Sequence, residues 1–177
     1  MTSQSPTHTY YQRAIGRWRG RIEAQVTDRR ELMHAVGFFN GLSVWMMAAW
    51  PGWLGSMFLE TTVVFDEPNG RVEHTTTVRW CRLPMMRSVE TVSLDDNGTQ
   101  FRLKGIARNT LMPWLAHPVT GSGRVDDAAQ IAHYKVSWFG ATLTQETNLQ
   151  DASITLSQKA PGFRASQVLK RLELPGI

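Results

Sequence analysis

The sequence predicts a mainly β fold, an antiparallel up-and-down β-barrel of about eight to ten strands with a short helical insert after the first strand. Three observations carry this expectation. A strict two-residue alternation occupies 16–26, further alternating segments follow from 57 onward, and strong turn residues separate them. In Gly16-Arg17-Trp18-Arg19-Gly20-Arg21-Ile22-Glu23-Ala24-Gln25-Val26 the charges fall on one face and the small or apolar groups on the other, as a strand with one wet face requires. A meander of many strands must hide its edges, and closure removes them.

Composition limits the alternatives. A chain of 177 residues, 42% of them hydrophobic, suits one domain with a sizeable core. The expected organisation is a disordered tail over 1–9 and a single barrel over 10–177. The formal charge of +4 comes from basic residues scattered along strands. Without a basic stripe, nucleic acid is not expected as a partner. The single cysteine, Cys81, allows no intrachain disulfide, and the first residues lack the regions of a secretory signal. A cytoplasmic location is therefore expected, with Cys81 read as an inert strand residue.

After the first strand, Asp28 and Glu31 stand at the spacing of a capping box, which starts a helix at about 29. From Ala35 to Leu59 there is no charged side chain. Pro51-Gly52 interrupts that run, and a proline inside a helix costs about 3 kcal/mol, so two short helices near 29–37 and 41–50 are expected instead of a membrane span. The whole insert, 29–55, is read as a lid over the barrel mouth. Trp45 and Trp50 within it would face the ligand. A weak contact with a membrane surface is the alternative use for them.

Phe58–Phe65 is rich in β-branched and aromatic residues and ends at Glu67-Pro68-Asn69-Gly70, a hairpin signal. Strands follow at 71–82, 86–94, 99–107, 129–139, 141–149, 153–158 and 164–172. Asn109–Asp127, with Pro113, Pro118, Gly121 and Gly123, reads as one long irregular loop on the rim.

Gly16-Arg17-Trp18 at the head of a period-two strand resembles the Gly-x-Trp signature of the calycins, the superfamily of lipocalins, fatty-acid-binding proteins and nitrobindins. The resemblance implies that Trp18 closes one end of the barrel and that a late basic residue, Arg164 or Arg171, packs over it. The order of strand, helix pair and meander is similar to the fatty-acid-binding branch. Tyr10-Tyr11-Gln12 before that signature and Val168-Leu169-Lys170-Arg171 near the end are similar to the termini of phycobiliprotein bilin lyases, which share that barrel.

No phosphate-binding glycine loop, His-Glu-x-x-His or Gly-x-Ser-x-Gly occurs. The candidates are polar and aromatic residues on otherwise apolar faces. His74 shares a face with Val72, Val78 and Trp80; it is either a core histidine bonded to a hydroxyl such as that of Thr76, or a ligand and proton-transfer group. Tyr134 travels with Val136 and Trp138, while its neighbour His133 points to the other face. Arg79, Arg87 and Arg102 are candidates to anchor a carboxylate, with Arg87 in phase with Met85 and Val89 and Arg102 on the wet face. The expected ligand site comprises His74, Trp80, Arg87, Phe101, Tyr134, Trp138, Trp45 and Trp50. His34 and His117 lie beside the proposed mouth, but no metal-ligand spacing links them, and no metal is expected.

These features favour a carrier or sequestering protein for a lipophilic small molecule. The alternative is a lipocalin-like isomerase, cyclase or lyase on a polyketide, terpenoid or bilin-type substrate, with His74 and Tyr134 as catalytic acid or base. A haem-binding barrel with a histidine ligand is a second alternative, and no other cofactor is expected.

Overall fold

The computed structural model describes residues 5–49, 56–66, 69, 71–95, 98–110, 116–138 and 140–172. The first alternating stretch forms two short strands, β1 (Gly16–Arg21) and β2 (Glu23–Val26). Nine longer strands follow in a meander: β3 (Met57–Asp66), β4 (Arg71–Trp80), β5 (Leu83–Leu94), β6 (Gln100–Asn109), β7 (Ala116–Val125), β8 (Ile131–Trp138), β9 (Ala141–Leu149), β10 (Ser153–Ala160) and β11 (Phe163–Arg171). Each pairs antiparallel with the next. β1 pairs along its length with β3 and through Trp18 and Arg19 with β11, and β2 continues along β11. β1 and β2 thus act as one strand bent at Ile22, and the sheet closes into an antiparallel barrel of ten strands. Through the bend Trp18, Gly20, Ile22 and Ala24 keep their phase.

Gly20 permits this closure. A Cβ there would run into the carbonyl of Val168 on β11, so only glycine lets the two backbones approach this closely. Gly123 on β7 has a similar role: it stands directly opposite Phe101, whose ring occupies the space a side chain would need.

One end of the barrel is covered by a helix, α1 (Pro6–Ala14), where the sequence reading expects a disordered tail through residue 9. Ser5 caps it by accepting from the His8 amide, and Pro6 enters the first turn, where its missing N–H costs nothing. Thr7, Tyr10, Tyr11 and Ala14 are its buried residues, a helical spacing that gives one inward stripe. The Thr7 hydroxyl donates to the Gly98 carbonyl at 2.7 Å. Trp18 is fully buried beneath α1 and donates from Nε1 to the Ala14 carbonyl at 2.9 Å. The Arg171 guanidinium lies 4.5 Å from the Trp18 ring centroid and donates to the Arg13 carbonyl. Arg171 is therefore the residue over Trp18, whereas Arg164 is held outside by Gln25.

Two further helices, α2 (Arg29–Val36) and α3 (Phe38–Ala48), cover the other end. The Asp28 carboxylate accepts from the Glu31 amide at 3.0 Å, the cap expected from the spacing. Leu32, Val36 and Val44 pack with Ala141, against Val26, Trp138 and Phe163 at the barrel rim. No helix among the described residues is long and apolar enough to cross a membrane.

Two further readings of the chain are corrected. The proposed loop 109–127 is strand from Ala116 to Val125. Pro118 fits because β7 meets β8 over Thr120–Val125, so its missing donor falls outside that pairing. Cys81 is an exposed turn residue with φ +52°, not a strand residue.

Removing the end plug should be costly. Trp18→Ala is expected to lower unfolding free energy by about 3–5 kcal/mol, while Arg171→Ala, which loses one cation–π contact and one hydrogen bond, should cost about 1–2 kcal/mol. Urea denaturation of both variants checks the ranking.

Candidate ligand cavity

The inward faces of the strands do not fill the barrel. They enclose a cavity of about 180 Å³, lined mainly by apolar side chains such as Leu59, Val78, Leu103, Val136 and Leu156. At the α2–α3 end, Trp138 and Phe163 touch the cavity and also pack against the helix cluster. At the α1 end, Tyr10 and Tyr11 contribute to the wall.

One polar ladder crosses the apolar lining. Thr61 on β3 stands opposite Thr76 on β4, which stands opposite Ser88 on β5; His74 stands opposite Glu90. Directly opposed and diagonal pairs on one face of an antiparallel sheet are within reach of each other. His74 Nε2 lies 2.6 Å from the Thr61 hydroxyl, and His74 Nδ1 lies 3.4 Å from Glu90 Oε2. The Thr61 and Thr76 hydroxyls are 3.3 Å apart. The result is a chain of carboxylate, imidazole and hydroxyl along the cavity wall.

Burial alone would push the Glu90 carboxyl up. The hydrogen bond from His74, the charge of that ring and the Ser88 hydroxyl outweigh burial and hold it below the ordinary glutamate value. Glu90 is thus a carboxylate at neutral pH. The opposite holds for the phenols. Burial first, then the neighbouring phenols, raise Tyr10 and Tyr11 well above the usual tyrosine value, and burial also raises Tyr134. They stay neutral and act only as hydrogen-bonding groups; the Tyr11 and Tyr134 hydroxyls are 3.4 Å apart.

Across the barrel, Gln158 Nε2 donates to Gln145 Oε1 at 2.8 Å. Gln167 on β11 also lines the cavity and is only 4% exposed. Its Oε1 has no hydrogen-bond partner among the described residues.

Of the residues singled out in the sequence, the cavity wall contains His74, Tyr134 and Trp138. Phe101 is buried beside it, its ring packed edge-on against Tyr11 and Tyr134. Trp80 is half-buried at the end of β4, beyond a register shift between Val78 and Arg79, and outside the described wall. Trp45 packs under the Arg29 guanidinium, 4.6 Å from its ring centroid, on the helix pair and away from the wall. Trp50 lies outside the described residues.

The arginines all fail as anchors. Arg87 is exposed, because the inward phase of β5 is Met86, Ser88, Glu90 and Val92. Val89, taken as its inward companion, is 46% exposed. The apolar pattern misled because the inward face here carries polar groups that satisfy one another. Arg79 donates to Glu60 at 2.7 Å on the outer wall, and Arg102 is exposed. His34 and His133 are exposed and His117 is half-buried on β7. Among the described residues no group of three or more His, Cys, Asp or Glu side chains is arranged to hold a metal.

Sequence reasoning missed Thr61, Ser88, Glu90, Gln167 and the α1 tyrosines. A signal for Ser88 and Glu90 was present: they share a two-residue phase with Val92 and Leu94. Tyr10 and Tyr11 required reading Thr7, Tyr10, Tyr11 and Ala14 at helical period.

A depressed folded-state carboxyl contributes stability that is present above the unfolded value, about 4.3 for glutamate, and is lost as pH falls through the folded value. Wild-type protein should therefore lose stability more steeply than Glu90→Gln on acidification from about pH 6 to pH 3. Urea midpoints across that range measure it, and parallel curves would contradict a depressed Glu90 carboxyl.

No protein-family model matches the chain, and no curated protein matches it. Solved structures similar to it include a secretory abundant heat soluble (SAHS) protein from Ramazzottius varieornatus, at TM-score 0.51 and 11% identity over 90% of this chain and 96% of that one. A REP1-NXSQ fatty acid transporter is similar at TM-score 0.48 and 11% identity, over 91% and 97% of the two chains. SAHS protein 4 from the same organism matches at TM-score 0.48 and 9% identity, over 98% and 100%. The first of these likenesses supports the barrel fold.

Proposed function

We propose that this protein binds a lipophilic small molecule inside its barrel, as a carrier or sequestering protein. The observation that carries the reading is the cavity itself, apolar on most of its wall with a few convergent polar groups, the usual make-up of a small-molecule site. A core built only for stability is packed without such space. The helices at both ends favour retention of an apolar guest, because they keep bulk water from the strand faces.

The Thr61–His74–Glu90 chain favours one second reading, an enzyme that moves a proton on a bound lipophile. An imidazole oriented by a carboxylate and touching a hydroxyl at 2.6 Å is arranged for acid–base transfer. The haem alternative gains nothing from this geometry, since His74 Nε2 would have to exchange Thr61 for iron.

Protein purified under native conditions should release a lipophile on denaturing mass spectrometry. Ala107 lines the cavity and is 4% exposed, so Ala107→Trp should empty it at a stability cost of about 1–3 kcal/mol. A lipophile retained by folded Ala107→Trp would place binding elsewhere. Under the carrier reading His74→Ala releases the same species as wild type; under the enzyme reading it releases an unconverted precursor of different mass or isomeric form.

A further inference from the structure

We infer that the cavity selects an uncharged lipophile bearing a hydroxyl group, such as a long-chain or polycyclic alcohol, and discriminates against the matching carboxylate. This rests on the cavity being the binding site proposed above and specifies the chemistry of its guest.

Charge is the first ground. The described wall contains no lysine or arginine, and its ionisable side chains apart from the phenols are His74 and Glu90. With Glu90 ionised, the pair carries a net charge of zero or minus one, whichever state His74 takes. A carboxylate entering this space would lose its hydration and meet no net positive charge, the situation in which burial of an ion is unfavourable. The arginines that might have met it point outward, with Arg79 already committed to Glu60.

Hydrogen-bonding polarity is the second ground, and it is independent of charge. Gln167, a residue of the cavity lining, carries a buried carbonyl oxygen that accepts from nothing among the described residues. Leaving such an acceptor unsatisfied is costly, and only a donor relieves it. A hydroxyl donates; a carboxylate and an ether only accept. The wall hydroxyls, including those of Thr61, Thr76, Ser88, Thr147 and the three tyrosines, can turn to give or take a hydrogen bond, and Gln145 and Gln158 are bonded to each other, so these groups tolerate either guest. Selection therefore falls to the Glu90 charge and the Gln167 acceptor.

Calorimetric titration of the delipidated protein at about pH 7, where decanoate is ionised, compares decanol, decanoate and decyl methyl ether. Decanol should bind at least about tenfold more tightly than either of the others. Glu90→Gln should strengthen decanoate binding relative to decanol, whereas Gln167→Leu should close the gap between decanol and the ether. Each folded variant tests its own ground, and the wild-type comparison tests both. Decanoate binding as tightly as decanol to wild type would overturn the inference while leaving the carrier reading intact. An ether equal to decanol would overturn the donor requirement. Failure of all three, together with no lipophile released from native material, would remove the binding reading and this inference with it.

Discussion

The structure depends on one requirement, that every strand edge finds a partner. A ten-strand meander has two terminal edges, and here the first strand satisfies both. β1 lies against β3, and the bend at Ile22 lets β2 run on beside β11. The close approach of Gly20 to the Val168 carbonyl makes that junction narrow. Trp18 then fills the space inside the junction, and Arg171 and the Ala14 carbonyl fix its ring from above. Closure fixes the circumference, and a ring of ten strands is wide enough that the inward side chains do not meet at the axis. The cavity is thus a consequence of how the edges are resolved.

Most of this fold was legible because it rests on period and punctuation. Alternation in 71–80 survives intact as strand and that in 16–26 as two strands bent at Ile22, and Asp28 caps the helix it was expected to cap. What was illegible depends on long-range pairing. Pro118, Gly121 and Gly123 look like a loop to any local reading, yet β6 on one side holds Ala116–Arg124 in register. Gly123 in particular makes sense only when Phe101 is seen lying over it. The N-terminal helix was overlooked for a different reason: a short polar segment is stable as a helix chiefly when an apolar stripe has something to cover, and the barrel end that it covers is not visible from its own residues.

The site was less legible than the fold. His74, Tyr134 and Trp138 could be placed from their strands, since each shares a phase with apolar neighbours. Arg87 was placed wrongly because the rule that apolar faces turn inward fails where polar groups are buried together. Val89 sits outside and Glu90 inside, reversing the usual order, and only the register that sets Glu90 against His74 explains it. The phase that Ser88 and Glu90 share with Val92 and Leu94 is a faint signal of this ladder, and its partners on the adjacent strands make it recognisable.

That ladder also bears on why the interior is built as it is. A carboxylate and an imidazole facing an apolar cavity are poor contributors to stability, because the desolvation of each offsets most of their attraction. Apolar side chains of similar volume at 74 and 90 would hold the sheet at least as well. The pair instead gives the cavity a defined polarity: a negative charge fixed in place by His74 and Ser88 on one wall, and an unmet acceptor at Gln167 on another. An apolar cavity would accept any hydrocarbon of suitable shape, since burial is non-directional. Fixed acceptors convert that tolerance into a demand for a donor at a particular place, and the demand is strong because the surroundings are dry. The barrel's closure thus provides affinity without direction, and the ladder with Gln167 provides direction at the expense of stability.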